Sequence, residues 1–152
     1  MLASRQIINA MVTRLIDAQT DAAARVYSNR AWPVAEFPGI KVLASDEDLD
    51  ADNDDITWPR ERQHTLQVLV MGIVRDVADL DDAMDELVEQ ILIALEGSEA
   101  ASLLDPLPGV RLRAVRISRQ LAAEGEASAG TVVITFEADF NTASNNPSQF
   151  LS

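Results

Sequence analysis

The stretch Arg62-Gln63-His64-Thr65-Leu66-Gln67-Val68-Leu69-Val70-Met71-Gly72-Ile73-Val74 decides how the chain is read. It is rich in β-branched and aliphatic residues, and it has the period of two that belongs to a strand. Leu66, Val68, Val70 and Val74 point one way; Leu69, Met71 and Ile73 point the other. A strand that is apolar on both sides is covered on both sides. Two helices in a small domain cover one side of a sheet comfortably, so the second side asks for a partner. A fold with helices on both faces satisfies the same pattern.

The neighbouring segments supply those helices. Downstream, Asp79 opens a helix to about residue 96, with Asp81, Asp82 and Asp85 in its first turns, where carboxylates favour the helix dipole. Ala83, Met84, Leu87, Val88, Ile91, Leu92 and Leu95 form its apolar face, and Gly97 ends it. Upstream, residues 4–20 place Ile7, Ile8, Met11, Val12, Leu15 and Ile16 on one stripe, with Ser4 as the expected N-cap. Short strands are expected at Arg25–Ser28 and Ile40–Leu43, joined through the proline-punctuated Trp32-Pro33 and Phe37-Pro38-Gly39.

After the second helix, the turn Leu107-Pro108-Gly109 leads to a strand over Val110–Leu121 carrying Arg111, Arg113, Arg116 and Arg119. A loop over 124–130 then precedes the last strand, Thr131–Phe140. There Val132, Ile134, Phe136, Ala138 and Phe140 face inward, and Thr131, Thr135, Glu137 and Asp139 face outward. Residues 141–152 read as a flexible C-terminal tail. The order α-β-β-β-α-β-β makes one α+β domain over 1–140, with a mostly antiparallel or mixed sheet of four to five strands.

The 152 residues suffice for a real core, and 47% are hydrophobic. Charged residues make up 24%, which argues against global disorder, and aromatic residues only 5%, so aliphatic side chains fill the interior. The absence of cysteine removes disulfides, thiolate metal sites and thiol nucleophiles. The net charge is −13 and the sequence pI about 4.3. A surface this acidic repels nucleic-acid backbones and anionic membranes. No signal-peptide pattern starts the sequence, and no apolar run approaches the roughly 18 residues of a membrane span. A soluble protein, made and used without export, is expected.

Catalytic chemistry finds little to work with. His64 is the single histidine and has no HExxH context, and phosphate loops, GxSxG elbows and Walker lysines are all missing. No enzyme, no cofactor and no metal are therefore expected. Residues 46–61 read as an exposed loop whose first ten residues hold seven acids and no base: Asp46, Glu47, Asp48, Asp50, Asp52, Asp54 and Asp55. Its alternating oxygens from Asp48 imitate a calcium loop. The imitation fails at Asn53, where the sharp turn wants glycine, and at Pro59, where the bidentate glutamate belongs.

Eleven of the twelve basic residues are arginine, a side chain suited to paired interface contacts. Arg111, Arg113 and Arg119 are expected on one strand face. Acids and arginines in separate blocks suit contacts between copies, with the loop acids meeting these arginines across a subunit boundary. Leu69, Met71 and Ile73 join them as expected interface residues.

The order of elements is also familiar. The helix from Ile7 to Leu15 leads to Arg25-Val26-Tyr27 and to Phe37-Pro38-Gly39-Ile40-Lys41-Val42, followed by the acidic insertion. Thr65-Leu66-Gln67-Val68-Leu69-Val70 then runs into Leu80-Asp81-Asp82-Ala83-Met84-Asp85 and Leu87–Leu95. Over about residues 4–141 this resembles the tail terminator or tail completion proteins of long-tailed phages, including the minor tail protein U family of lambda-like phages. Other neck, head–tail joining and connector proteins share much of the pattern, and a small α+β ligand-binding domain or enzyme is the other class of reading.

The resemblance implies a structural protein in the virion, assembled in the host cytoplasm. It implies a hexameric homo-oligomer ring at the head-proximal end of the tail tube. Such a ring ends tube polymerisation and meets the tail tube protein on one side and head–tail connector or neck proteins on the other. It implies no catalytic residues, no cofactor and no membrane. DNA would pass through the ring without specific binding, repelled by acids from 46–55 or from 79–89.

Overall fold

The computed structural model describes residues 1–28, 36–50, 60–75, 78–124 and 127–151, with the backbone alone over 122–124 and 127–128. Its elements are α1 (Ala3–Asp17), β1 (Val26–Tyr27), β2 (Gly39–Leu49), β3 (Glu61–Arg75), α2 (Leu80–Glu96), α3 (Glu99–Ser102), β4 (Arg111–Glu124), β5 (Ala127–Ala143) and β6 (Asn146–Leu151). The α+β expectation holds. The sheet has six strands in the order β1-β2-β3-β5-β4, with β6 also on β5. Only β1 and β2 run parallel; every other pair is antiparallel.

The strand that opened the reading lies at the centre. β3 pairs β5 without interruption from Glu61↔Ala143 to Arg75↔Ala129, and β2 flanks its other side. Leu66, Val68, Val70 and Val74 of β3 are buried, as are Val132, Ile134, Phe136, Ala138 and Phe140 of β5. α2 lies on this face, burying Met84, Leu87, Val88, Ile91 and Leu95, and α1 adds Ile7, Ile8, Met11 and Leu15. Side chains of this size contribute about 1.5–3 kcal/mol each when fully buried, so the shared face is the main source of stability. The approach is close enough to select glycine. A Cβ on Gly72 would lie 2.6 Å from Leu87 Cδ2, and one on Gly130 would run into the sulfur of Met84. Gly130 is therefore in β5, under α2, rather than in the expected loop.

The helix ends are partly as expected. The Asp79 carboxylate accepts from the amide of Asp82 at 3.1 Å and caps α2. Ser4 does not cap α1. The N-cap is Leu2, with no side-chain hydrogen bond, and Ser4 is already inside the helix. α1 stops at Asp17 rather than near residue 20, because Gln19 takes a left-handed φ of 52° that no helix continues through. α3 is a single turn capped by Ser98, and Arg14 of α1 holds the segment around it by donating to the carbonyls of Ala100 and Asp105.

Two further expectations are corrected. The acidic segment does not begin as a loop: β2 continues through Asp46, in an irregularity of the register, to Glu47, Asp48 and Leu49, which pair with Leu66, Thr65 and His64. These residues are exposed, as expected, but on a strand. Pairing with β3 satisfies the backbone groups on that side of the strand, which polar side chains do not prevent. Asp52, Asp54 and Asp55 lie outside the described residues. The C-terminal segment is also not a free tail. β6 takes over the edge of β5 where β4 leaves it, pairing Leu151 with Asn141 and Phe150 with Thr142. Phe150 is buried edge-on against Phe140, with ring centroids 5.6 Å apart. Gln6 of α1 donates to the carbonyl of Ser148 at 2.7 Å, tying the strand down further.

Candidate assembly surface

Both main helices share one face of the sheet. Among the described residues no element covers the other, and its composition follows from the registers. Three rows cross its middle: Leu43, Leu69, Thr135 and Arg116; Lys41, Met71, Val133 and Ser118; Gly39, Ile73, Thr131 and Gln120. Leu69, Met71, Ile73 and Val133 are half-buried among their neighbours on the pleat. The expected interface residues of β3 are thus together, at the centre of a bare face. Above them the face turns polar. One row runs Asp48, Thr65, Asp139 and Arg111; the next has Gln67, Glu137 and Arg113. The Thr65 hydroxyl donates to Asp139 Oδ1 at 2.9 Å.

The arginines of β4 divide differently from the expected trio. Alternation from Arg111 places Arg113 on the bare face, but the register shifts between Ala114 and Arg116. One extra residue in a strand reverses the facing of everything beyond it. Arg116 therefore pairs with Thr135 on the bare face, while Arg119 pairs with Val132 on the helix face. Its guanidinium accordingly reaches Asp85 of α2, at 3.4 Å. Arg111, Arg113 and Arg116 share the bare face; Arg119 does not.

Arg113 is already engaged within the chain. It binds Glu137 through two nitrogens and Asp139 at 3.0 Å, and the hydrogen bonds to Glu137, then the charges of both acids, raise its pKa further above the ordinary range. At an exposed site this fork orders the side chain more than it stabilises the fold.

His64 turns out to be structural in its contacts. Its ring stacks on Phe140 at 4.6 Å and 9°, and Nε2 shares a 2.7 Å hydrogen bond with the Thr142 hydroxyl. Nδ1 lies 3.4 Å from a Glu47 carboxylate oxygen, longer than an ordinary hydrogen bond, and the two form an ion pair only when the ring is protonated. Burial lowers the His64 pKa below 6.5; Glu47 opposes the shift without cancelling it, and Arg62 adds to it. Periodicity alone does not reveal this cluster, because its partners come from β2, β5 and β6.

The outer surface of α2 is acidic. Asp81, Asp82, Asp85, Glu86 and Glu89 are all exposed, and the Asp82 carboxyl is raised, first through its hydrogen bond with Asp79 and then by the neighbouring charges. A cavity of about 970 Å³ lies between the start of α1 and β2. Among the described residues that line it, Arg5 is the only one with a charged side chain. Among the described residues no three potential ligands converge to hold a metal, and no helix is long and apolar enough to cross a membrane.

A chain of a virion has this fold. The structure titled "Virion of native gene transfer agent (GTA) particle" contains a chain that superposes with a TM-score of 0.50 at 17% identity, covering 86% of this chain and 92% of that one. At that identity the likeness concerns the fold, and it spans nearly the whole of both chains. No protein-family model matches the sequence, and no curated protein matches it.

Proposed function

We propose that the chain is a structural protein of the virion of a long-tailed phage: a tail terminator-type subunit that assembles into a hexameric ring at the head-proximal end of the tail tube. The ring ends tube polymerisation and offers the surface to which the head connector docks. The observation that carries this reading is the bare sheet face with Leu69, Met71 and Ile73 at its centre. A sheet face with apolar side chains at its centre that no described element covers is a surface for another protein. The nearly full-length likeness to a chain of a gene transfer agent virion supplies the setting. The role is structural and needs neither catalysis nor a cofactor.

The charge fits a channel. Six copies of a −13 chain make a strongly negative ring, and a negative lining repels passing DNA phosphates. The exposed acids of α2 or those of the β2 arm serve as that lining. A lumen lined mainly by arginine would refute this part.

The test is light scattering on the purified chain, alone and with tail tube protein. The expected result is a particle of six 16.5 kDa chains, formed alone or on the tube, and tubes that stop growing when it is present. A chain that stays monomeric in both conditions and leaves tube length unchanged refutes the reading.

A further inference from the structure

The two edges of the sheet differ in charge, and the registers place the opposite charges at matching heights. β4 ends the sheet, and among the described residues no strand pairs its outer edge. It carries Arg111, Arg113, Arg116 and Arg119. At the opposite side, among the described residues β1 pairs β2 at Ile40 and Lys41, and past Ala44 β2 carries Asp46, Glu47 and Asp48. The row Asp48, Thr65, Asp139, Arg111 therefore starts in an acid at one margin and finishes in an arginine at the other.

We propose that copies meet head to tail through these margins, with β4 of one chain against the acidic β2 arm of the next. This rests on the self-assembly reading above and specifies its subunit contact. Strand direction allows it. β2 and β4 run in opposite senses within the sheet, so a neighbour generated by rotation about an axis along the strands brings its β2 antiparallel to β4. With little slip along the strands, Arg111 stands level with the neighbour's Asp48.

Exposed apolar groups lie at both margins. Val115, Ile117 and Leu121 of β4 are 45%, 39% and 62% exposed. The row through Ala114 reaches Ala44, and Ala44 borders the same groove as Met1 and Leu2, themselves 71% and 53% exposed. Two identical β4 edges would bring arginine against arginine, so the charges reject a symmetric dimer and accept the head-to-tail contact. Head-to-tail contacts that close on themselves make rings.

The cysteine-free chain allows a direct test. Asp48→Cys and Arg111→Cys are made in separate chains, mixed under assembly conditions with tail tube protein, and oxidised with glutathione disulfide. A one-to-one disulfide dimer is expected from the mixture and none from either variant alone. Both substitutions in one chain should give a ladder that stops at the ring size. Within one chain the two positions are three strands apart, about 14 Å, too far for a disulfide, which tolerates about 7 Å between Cα atoms. The charge reversal Arg111→Asp should lower assembly at least tenfold, and adding Asp48→Arg to the same chain should restore it. Particles that assemble without the mixed cross-link, or that cross-link through one variant alone, overturn the edge contact while leaving the ring intact. A chain that never associates, with tube or without, overturns both.

Discussion

Consecutive residues of β3 should respond in opposite ways to substitution, and Gly72 and Met71 are the most telling pair. A methyl group at Gly72 would stand 2.6 Å from Leu87 Cδ2 and 3.1 Å from Val132 Cγ1. Relaxed carbon contacts are about 3.5–4.0 Å. Leu87 and Val132 are both fully buried, so neither moves without displacing α2 or a central strand. Overpacking of this kind costs about 1–3 kcal/mol. Replacing glycine by alanine recovers about 0.4–1 kcal/mol of chain entropy. Gly72→Ala should therefore destabilise by about 1–2 kcal/mol, which at roughly 2–4 °C per kcal/mol lowers Tm by about 2–8 °C.

Thermal unfolding followed by circular dichroism measures this loss. In the double variant Gly72→Ala/Leu87→Ala the cost should be clearly less than additive, because the shortened Leu87 makes room for the methyl. Met71→Glu, one residue away on the bare face, should change the monomer Tm by no more than about 2 °C and abolish binding to tail tube protein measured by light scattering. A Gly72→Ala protein as stable as the parent would refute the packing of α2 on β3. A Met71→Glu protein that still binds the tube would remove the bare face from that contact.

The C-terminal strand and the histidine cluster give two further expectations. Phe150→Ala removes the ring that packs on Phe140 and should cost about 2–4 kcal/mol, with residues 144–151 becoming sensitive to limited proteolysis; an unchanged digestion pattern would contradict the docking of β6. Because the folded pKa of His64 lies below 6.5, the folded state resists protonation more than the unfolded chain does. Its contribution is complete above about pH 6.5 and declines as the pH falls through that value toward the folded pKa. Denaturant titrations at pH 7.5 and 5.5 should show the loss, and His64→Gln should reduce it; a His64 NMR titration midpoint above 6.5 would reverse the sign.

Composition and periodicity alone determined the class of this protein. The period of two in β3 and β5 and the period of 3.6 in α1 and α2 survive in the structure because burial enforces them: each apolar side chain must face the shared core. The same pattern already placed Leu69, Met71 and Ile73 on the face opposite Leu66, Val68 and Val70, while leaving open whether helices cover that face. Tertiary structure alone decided what backbone hydrogen bonding controls. The acidic residues of β2 and the polar Asn146–Leu151 are strands because neighbouring strands satisfy their amide groups, and no alternation of side chains announces that. The bulge after Ala114 is one residue of backbone geometry, without a signature in residue types. It moves Arg119 to the helix side, puts Arg116 in its place beside Arg111 and Arg113, and so sets which charges the sheet edge presents.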